Sequence, residues 1–199
     1  MRSAPLPRAF KSHMLYNEIV TTAGSASGSI PGVYVFSANG IYDPNITGTG
    51  HQPRGFDQIM PLFENWTVIG SKIRAKVHTL SSTATNIVGI TLMNTATALT
   101  DINDYMENPR TVKAILPSAN INGDPEATLS MTFDNKFFGK NDPLDDPDLQ
   151  GTSASNPPNQ AYFHLWSNEL SETVDISCRW LVDISYVSVF TTPVQPAAS

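Results

Sequence analysis

Apolar and polar positions along this chain alternate in short β-branched and aromatic runs, each closed by turn residues, and helical periodicity is nearly absent. Eight such runs can be drawn, at 10–22, 31–41, 66–80, 85–95, 110–116, 127–133, 160–168 and 173–190. The third and last are the most regular. In the third, Ile73, Ala75 and Val77 point one way, while Lys72, Arg74, Lys76 and His78 point the other. In the last, Ile176, Cys178, Trp180, Val182, Ile184 and Tyr186 lie opposite Asp175, Ser177, Arg179, Asp183 and Ser185. Each run thus reads as a strand with one core face and one wet face, as in antiparallel sheets. The pattern predicts an all-β fold: a single eight-stranded antiparallel jelly roll of two packed four-stranded sheets, with short helices in its loops.

Three connections are long. Residues 42–65 combine a Gly/Pro loop with a short helix expected over Phe56–Phe63. Residues 96–109 hold a second short helix around Asp101–Glu107, stopped by Pro109. Residues 134–159 open on Asp-Asn-Lys-Phe-Phe-Gly-Lys and then turn acidic and Pro-rich. Loops this long in a compact domain are usually functional surfaces. The expected organisation is a short arm at 1–9, a jelly-roll domain at 10–190 and a tail at 191–199, in which Pro193 stops the ladder.

Composition narrows the classes. The 199 residues suffice for one core without metal or disulfide. Charged residues make up 15% of the chain and the formal net charge is −6, which argues against a protein that grips polyanions by bulk charge. The one cysteine, Cys178, excludes an intramolecular disulfide and fits a reducing compartment. Neither a signal-peptide core nor an apolar run near ~18 residues is visible, so no membrane partner is expected.

Against that acidic background, the stripe Lys72, Arg74, Lys76 and His78 is the feature that points to nucleic acid. A row of basic side chains on one strand face neutralises phosphates without reading bases. The bland alternative is a solvated sheet face or a subunit contact. The acidic loop Asp142, Asp145, Asp146 and Asp148 offers oxygens for a hard cation, but its spacing matches no EF-hand and a solvated loop is the simpler reading. Gly48-Thr-Gly50-His51 lacks the phosphate-loop pattern, and its glycines read as suppliers of positive φ for a turn. The histidines, His13, His51, His78 and His164, fall on separate elements, and Cys178 sits on an apolar face, so no catalytic constellation and no cofactor is implied. Asn45-Ile-Thr47 and Asn65-Trp-Thr67 form glycosylation sequons, which mean little without a secretory signal. Trp66, Trp166 and Trp180 read as core. Tyr42, Phe56, Met60, Tyr105, Phe137 and Phe138, in the long loops, are candidate subunit contacts.

Several segments taken in order carry a family resemblance. They are Phe36-Ser-Ala-Asn39-Gly40-Ile-Tyr-Asp43-Pro44, then Gly48-Thr-Gly50-His51-Gln52-Pro53-Arg-Gly55-Phe56-Asp57, then Phe63 ahead of Val68-Ile-Gly70-Ser-Lys72. Phe137-Phe138-Gly139, Ser155-Asn156-Pro157, Tyr162-Phe163-His164-Leu-Trp166 and Ile184-Ser-Tyr186 follow. Together, over about residues 33–190, they resemble the capsid proteins of circular, Rep-encoding single-stranded DNA viruses, the circovirus-like group.

The resemblance implies a non-enzymatic virion protein whose partner is itself, in a small icosahedral shell of about sixty copies around a single-stranded DNA genome, bound without sequence preference. It implies that the eight runs are strands B to I, with the first, third, sixth and eighth in one sheet and the others in the second. The 42–65 and 134–159 loops would be CD and GH, facing outward. It further places Lys11, His13 and Arg179 beside the cationic stripe on an inner face, with Arg2 and Arg8 in the arm. Coat proteins of that group usually carry an arginine-rich arm, whereas the first seventeen residues here hold only Arg2, Arg8, Lys11 and His13 as basic side chains. The alternatives are a coat protein of a small RNA virus and a β-sandwich carbohydrate-binding module, the latter marked by an exposed row of aromatics. The host receptor is not legible.

Overall fold

A computed structural model describes residues 6–25, 31–120, 125–139, 142–170 and 174–194. Eight strands form two four-stranded sheets, and every pairing is antiparallel. In chain order they are β1 (Ala9–Gly24), β2 (Gly32–Ser37), β3 (Phe63–Thr79), β4 (Asn86–Met93), β5 (Thr111–Leu116), β6 (Glu126–Asp134), β7 (Tyr162–Glu169) and β8 (Ile176–Pro193). The sheet orders are β1-β8-β3-β6 and β2-β7-β4-β5, the partition and topology of a jelly roll. Two short α-helices sit in the connections, α1 (Phe56–Ile59) and α2 (Ile102–Glu107), with 3-10 turns at Met60–Leu62, Asn135–Phe138 and Pro147–Leu149 among the described residues. β1 starts at Ala9, and β8 runs on until Pro193 stands opposite Phe63.

The long strands form because their alternation matches the sandwich. Ile73, Ala75 and Val77 of β3 meet Trp180, Val182 and Ile184 of β8 on the inner face, all at 0% exposure. Phe36 of β2, Ile90 of β4, and Phe163 and Leu165 of β7 close the same core from the other sheet. Each such side chain contributes roughly 1.5–3 kcal/mol on leaving water. Buried polar handles are matched. Trp180 Nε1 donates to Thr22 Oγ1 at 2.9 Å, and the Tyr186 hydroxyl donates to the Ser37 carbonyl at 2.8 Å. A bulge between Val68 and Gly70 resets the phase of β3, so Trp66 and Val68 point inward before it, and Ser71 and Ile73 after it.

One expectation fails instructively. β4 and β7 do not have a wet face. Nearly every residue of β7 is buried, because its outer side chains lie under the 96–109 connection. There Tyr105 of α2 stacks on Trp166 with ring centroids 5.7 Å apart, and Ile102 joins them in a second small core. The helix is started by Asp101, whose Oδ1 accepts the Asn103 amide hydrogen at 2.8 Å. The sandwich is therefore asymmetric: β7 and β4 of the second sheet are roofed by its own loop while the β5 edge stays open at Lys113 and Ile115, and β1-β8-β3-β6 presents its far side to solvent.

The 42–65 loop is strapped to β1. Asn45 Nδ2 donates to both carboxylate oxygens of Glu18 at 3.0 Å and to the Tyr34 hydroxyl at 2.9 Å, and the Tyr16 hydroxyl also donates to Glu18. His51 lies over Tyr16 with centroids 4.6 Å apart. Gly48 has φ 71°, as a turn requires. Gly50 does not have positive φ; it is glycine for space, since a Cβ there would stand 2.6 Å from the Tyr16 hydroxyl oxygen.

Candidate nucleic-acid interface

The open side of β1-β8-β3-β6 gathers the basic residues that the sequence scatters over three strands. The register sets them in rows across the sheet. Leu15, Ser185, Lys72 and Thr132 form one row, and Asn17, Asp183, Arg74 and Ser130 the next. Ile19, Leu181, Lys76 and Thr128 follow, then Thr21, Arg179, His78 and Glu126. Residues directly opposite in a sheet share a face, so Lys72, Arg74, Lys76, His78 and Arg179 project from one surface. Lys11 and His13 are exposed on β1 in the same alternation as Leu15. Arg8 is exposed just ahead of β1, and Arg2 lies outside the described residues.

The cations are not equivalent. Lys76 Nζ sits 2.5 Å from Glu126 Oε2, and His78 Nδ1 is 3.8 Å from the other oxygen of that carboxylate. The hydrogen bond from Lys76 holds the Glu126 carboxyl below the usual range, with the charges of Lys76 and His78 adding to it against a smaller effect of desolvation. Positive charge is thus partly cancelled at the Lys76 end. Arg74 and Lys72 stand two and four residues away on the same strand, and the acid nearest to them in register is Asp183.

The face is also apolar in part. Leu15 is 70% exposed, Ile19 and Leu181 stand side by side, and all three belong to the rows that carry the cations. Sequence reading missed these residues, although Leu15 and Ile19 at odd positions beside Met14 and Tyr16 at even ones gave the signal.

Other candidates fall differently. Phe56, Met60 and Tyr105, expected at subunit contacts, are packed inside the subunit: Phe56 meets Trp66 edge-on at 6.1 Å, Met60 is 3% exposed, and Tyr105 lies on Trp166. Their loops fold back onto the sandwich, so intramolecular burial claims them first. Tyr42 is half-buried beside Phe56. Phe137 and Phe138 are half-buried against Phe133, and Arg110 lies 4.6 Å above the Phe137 ring, so these two still contribute surface.

The acidic loop makes turns. Asp142 Oδ1 accepts the Leu144 amide hydrogen and Asp146 Oδ1 accepts that of Asp148, while Asp145 and Asp148 are exposed. No group of three or more potential metal-ligating side chains comes together among the described residues. Cys178 is fully buried, and burial pushes its thiol up to about 11, so it is a core residue and no nucleophile. Asn45, within a sequon, is itself buried and committed to Glu18.

No protein-family profile matches the chain, and no curated protein does. Solved structures do. The capsid protein deletion mutant of Penaeus vannamei nodavirus, in a T=1 subviral particle, superposes with a TM-score of 0.52 at 7% identity, over 93% of this chain and 97% of that one. Mud crab tombus-like virus gives 0.48 at 12% identity over 98% and 96%, and Turnip Yellow Mosaic Virus gives 0.46 at 8% over 96% and 99%. At 7% identity the likeness to the nodavirus protein shows the fold alone, a jelly roll over 93% of this chain.

Proposed function

We propose that this chain is a coat subunit that assembles with copies of itself into a small icosahedral virion shell, with the open face of β1-β8-β3-β6 turned toward packaged single-stranded nucleic acid. The observation that carries this reading is the asymmetry of the sandwich. In a chain of net charge −6, one sheet has its middle strands β7 and β4 roofed by its own loop, and the other gathers Lys11, Lys72, Arg74, Lys76 and Arg179 on a bare surface. The role is structural, not enzymatic: geometry and repetition do the work, with weak phosphate contacts multiplied around a closed shell.

The resemblance in sequence to circular DNA virus capsids and the fold neighbours agree on a coat protein and differ on the genome. The neighbours belong to RNA viruses and favour that alternative over the DNA reading. A face that reads phosphates serves either polymer. A carbohydrate-binding module has less support, because Phe10 is the one aromatic among the large exposed apolar side chains of the described residues.

The test is assembly. Size-exclusion chromatography and negative-stain microscopy are expected to give closed particles, and a species that stays near 21.6 kDa would refute the proposal. Nuclease digestion of the contents of native particles, with DNase in one arm and RNase in the other, assigns the genome.

A further inference from the structure

A groove of about 380 Å³ crosses β8 on the open face, walled by Lys72 and Arg74 on one side and by Leu15 and Asn17 on the other, with Asp183 and Ser185 between them. Its volume falls in the range of small-ligand sites. We infer that this groove seats one nucleotide of a single strand: phosphates on Lys72 and Arg74, the base laid against Leu15, and its polar edge on Asn17 and Asp183. The inference deepens the coat-subunit reading and rests on it for the source of the strand.

The residue set distinguishes a nucleotide seat from a plain phosphate rail. A rail of cations would gain nothing from an acid in its floor. Asp183, opposite both Asn17 and Arg74, is an acceptor suited to an exocyclic amino group or a sugar hydroxyl, and Asn17 offers a donor and an acceptor. Lys72 and Arg74 are separated by two strand residues, about 6.8 Å of rise, so they can meet successive phosphates of an extended strand. Arg74 adds a planar donor fork suited to phosphate oxygens. Leu15 gives a base an apolar surface, continued by Ile19 and Leu181 one row beyond Asn17 and Asp183. Glu126 engages Lys76 and His78, whereas Lys72 and Arg74 make no ion pair among the described residues.

The experiment uses the full chain as dissociated, folded subunits, with fluorescein-labelled oligo(U) and oligo(dT) as probes and anisotropy read across a salt series. The double variant Lys72→Ser with Arg74→Ser is expected to bind more weakly and to lower the slope of log K against log salt by about 1.4, since each single-strand phosphate contact contributes about 0.7. Leu15→Ser is expected to weaken binding about equally at every salt concentration, leaving the slope in place. Ultraviolet cross-linking of either probe is expected to mark peptides of β1, β3 and β8.

Binding unchanged in both variants overturns the groove and leaves the coat reading intact. Cross-links confined to the β2-β7-β4-β5 side also overturn it. Should Leu15→Ser abolish particle formation without touching oligonucleotide affinity, the patch is covered by a second copy of the chain and the inference falls. A wild-type chain that binds through these residues yet never forms particles supports the groove and refutes the shell.

Discussion

The Tyr105 hydroxyl and Nδ1 of His164 lie 3.0 Å apart inside the roof of the second sheet, and their roles are fixed by their other partners. His164 Nε2 is 2.7 Å from the Thr95 carbonyl, which only accepts, so Nε2 carries the hydrogen and Nδ1 is bare. The Tyr105 hydroxyl therefore donates to Nδ1, while it accepts the Leu99 amide hydrogen at 3.0 Å. One neutral histidine pins the 96–109 connection to β7.

That arrangement makes stability sensitive to acid. Burial holds the His164 pKa below its ordinary value, only partly offset by the hydrogen bond to Thr95, so the folded state disfavours the proton that the unfolded chain accepts. The contribution of His164 is complete above the unfolded value of about 6.5 and is lost as pH falls toward the lower folded value. Thermal midpoints are expected to drop on acidification through that window, and His164→Gln is expected to flatten the drop. Tyr105→Phe leaves the Leu99 amide and Nδ1 without a partner and is expected to cost about 1–3 kcal/mol for each group left unpaired, measured by denaturant unfolding at neutral pH.

A second lock holds the 42–65 loop. Asn45 donates to Glu18 and Tyr34 with its amide nitrogen and accepts from the Thr47 amide and hydroxyl with its oxygen. Asn45→Asp keeps the shape and replaces the donor with a carboxylate facing Glu18. Asp43 nearby is already pushed above the ordinary carboxylate range by burial and by the charge of Glu18, so a third acid has no relief. The expected loss is about 3–5 kcal/mol at neutral pH, the scale of a buried pair turned repulsive, and smaller in acid. Equal losses at both pH values would show that Glu18 is not the cause.

Much of this fold is written in the alternation of β3 and β8, because each has one side in the core and one in water. β4 and β7 are less legible for the opposite reason: with both sides covered, no polar half remains to mark the phase. Tyr105 was legible in principle, since it follows Ile102 by three residues on a capped helix, a spacing that marks one apolar face. Phe56 carries no such mark, and a loop aromatic looks the same whether it packs inward or meets a partner. The basic stripe was visible; its neutralisation was not. Glu126 is fifty positions from Lys76 in the chain, and only the antiparallel register of β3 with β6 brings them together.

Cys178 gives a direct check on the core. Its thiol is fully buried between β1 and β3, within 3.6 Å of Asn86 Nδ2, and burial keeps it protonated. A thiol reagent is expected to react only as fast as the subunit unfolds, with full labelling in denaturant. Rapid labelling of native protein would place Cys178 at the surface and break the inward alternation of β8.

The ion pair between Lys76 and Glu126 makes the sharpest prediction about charge on the open face. Glu126→Gln keeps a side chain of the same size and removes the anion. Both partners are substantially exposed, so screening by water makes the pair a minor contributor to stability, and the thermal midpoint is expected to stay close to wild type. Electrostatics on the face should change more. With that anion gone Lys76 attracts a phosphate more strongly, so oligonucleotide affinity is expected to rise at low salt and the salt slope to steepen by up to about 0.7. The double variant Glu126→Gln with Lys76→Ser is expected to return the slope to the wild-type value, because the gain runs through that lysine alone. If affinity rises in the single variant and the rise survives removal of Lys76, the gain comes from the general field of the face. If neither changes, strands do not reach the Lys76 end, and phosphate contact is confined to the groove beside Lys72 and Arg74.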